Sequence, residues 1–192
     1  MITLKNIQIE KSIATKRLQY SKNWTVYLDQ ILFAFALLFG FVVCPILMYK
    51  FELDLSNSNE RFIGYVVLPI LIFYAVYMTF RTFTQFRLKK IVSNQTSELN
   101  RQLILDFAKA KEYKIRVKNN NCIILDQPKM VEKYARTAVL LFQDEVVYYT
   151  FLQDDFKLNT PTCISHLIFA WELKKWIKKE GNQKSHSTEE MN

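Results

Sequence analysis

Residues 31–48 read ILFAFALLFGFVVCPILM, and residues 62–80 read FIGYVVLPILIFYAVYMTF. The first run is 18 residues long, the second 19, and neither holds a charged side chain. At 1.5 Å of rise per residue each helix would span roughly 27–29 Å, close to the ~30 Å hydrocarbon core of a bilayer. Neither run has a polar face, and a chain of 192 residues rarely needs two such helices in a soluble core. The first run starts too deep in the chain for a secretory leader, and no small-x-small cleavage pattern follows it. Cys44 lies between Val43 and Pro45, which is no lipoprotein cleavage site. The expectation is therefore a two-helix transmembrane hairpin. Its helices cover residues 28–49 and 62–80, with a short external loop over residues 50–61.

Charge orients the hairpin. Lys5, Lys11, Lys16, Arg17 and Lys22 precede the first helix, whereas the connector has only Lys50 and Arg61. Arg81, Arg87, Lys89 and Lys90 follow the second helix, with no acid before Glu98. The positive-inside rule then puts both termini in the cytoplasm, in a plasma or inner cell membrane. Of the net +8, residues 1–30 contribute +3, residues 50–61 −1, residues 81–95 +4 and residues 96–192 +2. Most of the excess thus sits beside the proposed spans. Lys16, Arg17, Lys22, Arg81, Arg87, Lys89 and Lys90 are the candidate contacts to anionic lipid headgroups. A nucleic-acid interface would instead want bases clustered on the folded domain, where the balance is nearly even. No nucleic-acid partner is expected.

Within the hairpin, Ala36, Gly40 and Cys44 recur every four residues, a spacing that lets another helix backbone approach closely. Gly64 and Ala75 offer a weaker stripe on the second helix. These are the candidate helix-packing positions, for the hairpin itself, a second copy or a partner helix. Pro45 and Pro69 each remove a backbone donor and are candidate kinks. No Asp, Glu, Lys, Arg or His lies within either span, which disfavours a transport pathway.

The flanking segments have their own patterns. Ile9, Ile13, Leu18 and Tyr20 suggest an amphipathic helix over 9–22, lying on the inner leaflet within a cytoplasmic segment over 1–27. The second helix is expected to run on to about residue 92, inside a basic juxtamembrane linker over 81–96. Thr96 or Ser97 can cap the next helix, whose Leu99, Leu103, Phe107 and Ala110 share one face. The period then changes to two. Tyr113, Ile115 and Val117 alternate with bases, and residues 122–125 read CIIL across an Asn turn. Residues 137–142 (TAVLLF) and 145–151 (EVVYYTF) form a second hairpin. Residues 164–179 are a final helix, with Lys174, Lys175, Lys178 and Lys179 near its end. The result is a small cytoplasmic α+β domain over 97–179 in α-β-β-β-β-α order, then a polar disordered tail over 180–192. Tyr148, Tyr149, Phe151, Trp171 and Trp176 are expected in its core or on a docking face.

Composition excludes several classes. Half of the residues are hydrophobic, only 23% are charged, and Gly and Pro number 3 and 4. That excludes collagen-like and wholly disordered chains. Three separated cysteines do not make a disulfide scaffold.

Little chemistry is visible. Cys163 and His166 have half of a zinc spacing, and Cys122 is alone on a strand. Glu172-Leu173-Lys174 has an acid-x-Lys spacing but falls on a helix. Asp154–Asp155 reads as an acidic turn. With glycine only at 40, 64 and 181, glycine-built phosphate sites are nearly excluded. No metal, cofactor or catalytic residue is assigned. The expected role is a non-catalytic interaction or accessory module at the inner membrane face, of the immunity-protein or complex-subunit type. It would act through a protein partner or self-association. The alternative is a membrane-tethered enzyme or ligand sensor with its site in the C-terminal β-domain.

Overall fold

The computed structural model describes residues 7–20, 24–51, 57–127, 136–153 and 164–189. The chain divides into two compact units. Of the described residues, one unit comprises 24–51 and 57–84, and the other joins 7–20 to 85–127, 136–153 and 164–189.

The first unit is a helical hairpin. Its first long helix, α2, is α-helical over Trp24–Leu38 and Cys44–Phe51, with a π-helical turn over Phe39–Val43 between them. (A short helix, α1, precedes it in the other unit over Ile9–Thr15.) The second, α3, runs Ser58–Phe62, a π turn over Ile63–Val67, then Leu68–Thr84. Asn57 caps α3 by accepting the Asn59 N–H at 3.1 Å. Both helices are long and apolar enough to cross a membrane, by length and composition.

Each π turn ends two residues before a proline, Pro45 or Pro69. A proline ring clashes with the carbonyl four residues back, here Phe41 or Tyr65. A widened turn relieves that clash without breaking the helix. The surrounding residues repeat: Gly40-Phe41-Val42-Val43-Cys44-Pro45-Ile46-Leu47 matches Gly64-Tyr65-Val66-Val67-Leu68-Pro69-Ile70-Leu71 at six of eight positions.

The second unit is an antiparallel sheet covered on both faces. Its strands are β1 (Lys89–Val92), β2 (Lys114–Lys118), β3 (Cys122–Asp126), β4 (Arg136–Gln143) and β5 (Val146–Gln153). Their spatial order is β1-β5-β4-β3-β2. Two helices complete the unit, α4 over Ser97–Ala110 and α5 over Ser165–Glu189. On one face Ile123, Leu125, Ala138, Leu140, Tyr149 and Phe151 pack with Phe107 of α4 and Phe169, Leu173 and Ile177 of α5. On the other, Cys122, Ile124, Val139, Leu141 and Leu152 pack with Leu18, Tyr20, Phe86 and Leu88. Burial on both faces explains why residues 122–125 and 138–142 carry unbroken apolar runs rather than strict alternation.

Several expectations change. The sheet has five strands, because Lys89–Val92 pairs with β5 where a linker was expected. The unit's described order is α-β-α-β-β-β-β-α, and α3 stops at Thr84 rather than near residue 92. A strand of two lysines and two β-branched residues suits a sheet edge, where lysine also discourages pairing with other chains.

The N-terminal segment is α-helical only over Ile9–Thr15. Lys16 takes a left-handed φ of 51° and stops the helix. Leu18 and Tyr20 continue as extended chain, buried on the sheet. Ile9 and Ile13 pack on that same cluster, so the apolar face of α1 is met by protein.

At β2 a bulge between Ile115 and Val117 breaks the expected alternation. Tyr113 is buried with the helices, Ile115 is exposed, and Val117 packs on the opposite face. The last helix continues past Lys179 to Glu189, so the expected tail is largely helical.

Candidate functional site

Two segments far apart in sequence meet at the head of the sheet. The Leu18 N–H donates to the Phe86 carbonyl at 2.8 Å, and the Leu88 N–H donates to the Lys16 carbonyl at 3.0 Å. Arg17 and Arg87 thereby face one another in an antiparallel bridge. Ser12 locks the near side: its hydroxyl donates to the Gln8 carbonyl at 2.6 Å and accepts the Gln19 N–H at 2.8 Å. Thr150 of β5 locks the far side by donating to the Gln85 carbonyl.

This pairing brings Lys16, Arg17 and Arg87 onto adjoining backbone, with Lys89 and Lys90 following on β1. All five are exposed. Arg81 differs, being buried in the last turns of α3. Lys22 lies outside the described residues. Five of the seven proposed headgroup contacts therefore form one exposed basic junction.

The hairpin residues separate into two groups. Gly64 and Ala75 are buried, as are Ala34 and Leu37 of α2. Ala36 and Gly40 are exposed, and Cys44 is half-buried. A Cβ built on Gly40 would meet nothing within 4 Å. The 36/40/44 stripe thus lies to one side of the buried positions. Elsewhere the helices present large apolar side chains outward: Phe73 is 75% exposed, Phe35 65% and Ile70 62%.

Several titratable groups of the α/β unit are engaged in contacts within it. Arg116 grips Asp126 across β2 and β3 through Nε–Oδ2 at 2.9 Å and Nη2–Oδ1 at 2.8 Å. The buried Thr137 hydroxyl joins them, donating to Asp126 Oδ1 at 3.0 Å and accepting from Arg116 Nη2 at 3.2 Å. Glu172, the acid of the acid-x-Lys spacing, is held by Lys111 Nζ at 2.7 Å, an ion pair between the residue that ends α4 and α5.

Burial pushes the Cys122 thiol up to about 11, which keeps it protonated and poorly nucleophilic. Burial likewise raises Tyr113 to about 12, with the Glu172 charge adding to the effect and Arg136 opposing it. His166 is buried in the first turn of α5. Cys163, Asp154 and Asp155 lie outside the described residues. Among the described residues no three His, Cys, Asp or Glu side chains gather as a metal site would require.

The start of α5 is apolar on its outer side as well. Of the two places expected for Trp171, the core or a docking face, its 63% exposure excludes the core. Trp176, five residues on, turns inward and donates Nε1–H to the Leu103 carbonyl at 3.1 Å. Ile164, Leu167 and Ile168 are exposed beside Trp171. The available signal was a helix apolar on two sides at once. Phe169, Ala170 and Leu173 form one face, while Ile164, Leu167, Ile168 and Trp171 fall at i, i+3, i+4 and i+7 on the other.

No protein-family model, curated protein or solved structure matches the chain.

Proposed function

We propose that this chain is a two-span protein of the plasma or inner cell membrane. Both termini and the α/β unit lie on the cytoplasmic side, and the unit acts as a non-catalytic interaction or accessory module. Outward-facing Phe35, Ile70 and Phe73 carry the membrane reading: hydrocarbon accommodates such a surface and water does not. Charge supports the orientation. The basic junction of Lys16, Arg17, Arg87, Lys89 and Lys90 directly flanks the ends of the hairpin in sequence, while the connector carries fewer bases. Anionic headgroups are its partners at that junction.

The accessory role is supported by where the reactive side chains are spent. Asp126 and Glu172 are bound in ion pairs, and Cys122 is buried. The exposed 36/40/44 stripe leaves α2 able to receive another transmembrane helix, from a protein partner or a second copy. Alkaline carbonate extraction of native membranes tests insertion. An inserted hairpin stays in the pellet, and release into the supernatant contradicts it. Purification in mild detergent, with mass-spectrometric identification of stoichiometric partners, tests the module role. A monomer with no partner and a measurable turnover of a small molecule would favour a tethered enzyme.

A further inference from the structure

We propose that the outer face of α5 is a second membrane contact, seating the α/β unit on an anionic bilayer surface; this rests on the hairpin spanning that bilayer. Ile164, Leu167, Ile168 and Trp171 form a continuous exposed apolar strip, with Trp171 63% and Ile164 61% exposed. An isolated exposed leucine would need no explanation, but four adjacent large side chains on one helix face do. The same face continues into Lys175 and Lys178, four and seven residues beyond Trp171, and both are exposed. Lys175 Nζ lies 5.0 Å from the centre of the Trp171 ring, so the cationic and apolar parts adjoin. Glu172, the acid on this stretch, is turned away to Lys111. An apolar strip with tryptophan at its end, running into lysines, matches the boundary between acyl chains and anionic headgroups.

A protein surface could cover the apolar half equally well. Charge and position favour the bilayer. The helix packs over β5, which pairs with the edge strand β1, and β1 begins five residues after α3 ends. Lys89 lies on the same side of the sheet as α5, sharing that face with Ile91. Lys89 and the lysines of α5 therefore lie on one side of the sheet, and both fit one anionic surface.

The test uses the full chain with Trp24→Phe and Trp176→Phe, leaving Trp171 as the single indole, in vesicles of phosphatidylcholine and phosphatidylglycerol at about 2:1. Circular dichroism checks the fold. If that variant misfolds, a nitroxide at Ile168→Cys, in a chain with Cys44→Ser and Cys163→Ser, reports depth by oxygen accessibility. Emission is expected to shift to the blue and to fall by roughly half when brominated acyl chains replace ordinary ones. Lys175→Gln with Lys178→Gln, pure phosphatidylcholine, or about 1 M salt should each weaken the quenching. Water-like emission with no quenching overturns the proposal. So does a blue shift that ignores bromine and grows with protein concentration, which would identify a second copy on this face. Phe73→Trp in a chain with its native tryptophans changed to Phe reports hairpin insertion separately. Quenching there without quenching at Trp171 leaves the hairpin standing and removes this contact.

Discussion

The backbone of Leu18 is hydrogen-bonded to that of Phe86, N–H to carbonyl at 2.8 Å, across a gap of 68 positions in the sequence that contains the whole helical hairpin. The α/β unit therefore does not begin after the hairpin. It begins before it, and the hairpin is inserted into it. Both side chains are fully buried on the same sheet face, with Ile124, Val139 and Leu141.

Removing residues 1–20 should therefore uncover part of one face of the sheet, leaving Phe86 and Leu88 as its remaining cover. A truncated chain is expected to aggregate or lose its native β signal. Leu18→Ala alone should cost roughly 2–5 kcal/mol, as for other fully buried leucines. Chemical denaturation of the full chain in detergent reads this directly; an unchanged midpoint would mean that the segment only rests on the sheet.

Thr137 ties Arg116 to Asp126, and its hydroxyl is fully buried. Thr137→Val should destabilise the unit by about 1–3 kcal/mol, because it removes a donor to a partly buried carboxylate. Arg116→Gln should cost less, since that side chain is about one-third exposed and solvent screens the pair. A double-mutant cycle between positions 116 and 126 should show positive coupling that shrinks with salt.

Cys122 should resist alkylation at pH 8 in the folded protein and react promptly once denatured, because its folded pKa is about 11 against an ordinary 9.0. Between those values the unfolded chain releases the thiol proton while the folded chain keeps it. Stability contributed by the neutral thiol is full below pH 9 and is lost as pH rises toward 11. Tyr113, raised to about 12, extends the same trend upward from pH 10. Denaturation midpoints should hold from pH 8 to about 9 and fall from there to pH 11, and Cys122→Ala should flatten the first part of that decline.

Substitutions of small residues should separate the two faces of the hairpin. Gly40→Leu enters open space and should leave the thermal midpoint in detergent nearly unchanged. Ala75→Leu, at a fully buried position, should cost about 1–3 kcal/mol by overpacking. If Gly40→Leu leaves stability intact but abolishes recovery of a membrane partner, the exposed stripe is the partner's seat.

Local pattern made much of this readable. Eighteen uncharged residues from Ile31, the change to period two after Ala110, and the Thr96 cap all announce their elements within a few neighbours. The Thr96 hydroxyl does accept the Leu99 N–H, at 3.4 Å. What stayed hidden depends on partners far along the chain. Lys89-Lys90-Ile91-Val92 becomes a strand only because Val146–Tyr149 lies beside it. Ile9 and Ile13 have the same spacing whether they meet lipid or a sheet, and only Val139 and Leu141, over 120 positions later, decide between them. Pro45 and Pro69 marked two candidate kinks in the sequence, but that each is met by a π turn within a repeated Gly-aromatic-Val-Val-x-Pro-Ile-Leu comes from the structure. Of the candidate contacts, the basic residues were identifiable by charge, whereas their convergence through the Arg17–Arg87 bridge was not.

The central claim is that the hairpin crosses a cell membrane with both ends on the cytoplasmic side. Labelling of single cysteines on intact cells with a membrane-impermeant maleimide tests it most directly, in a chain with Cys44, Cys122 and Cys163 changed to Ser. Asn57→Cys, at the connector, should label on intact cells, and Glu190→Cys should label only after permeabilisation. Labelling of Glu190→Cys on intact cells, with Asn57→Cys protected until lysis, would contradict the account.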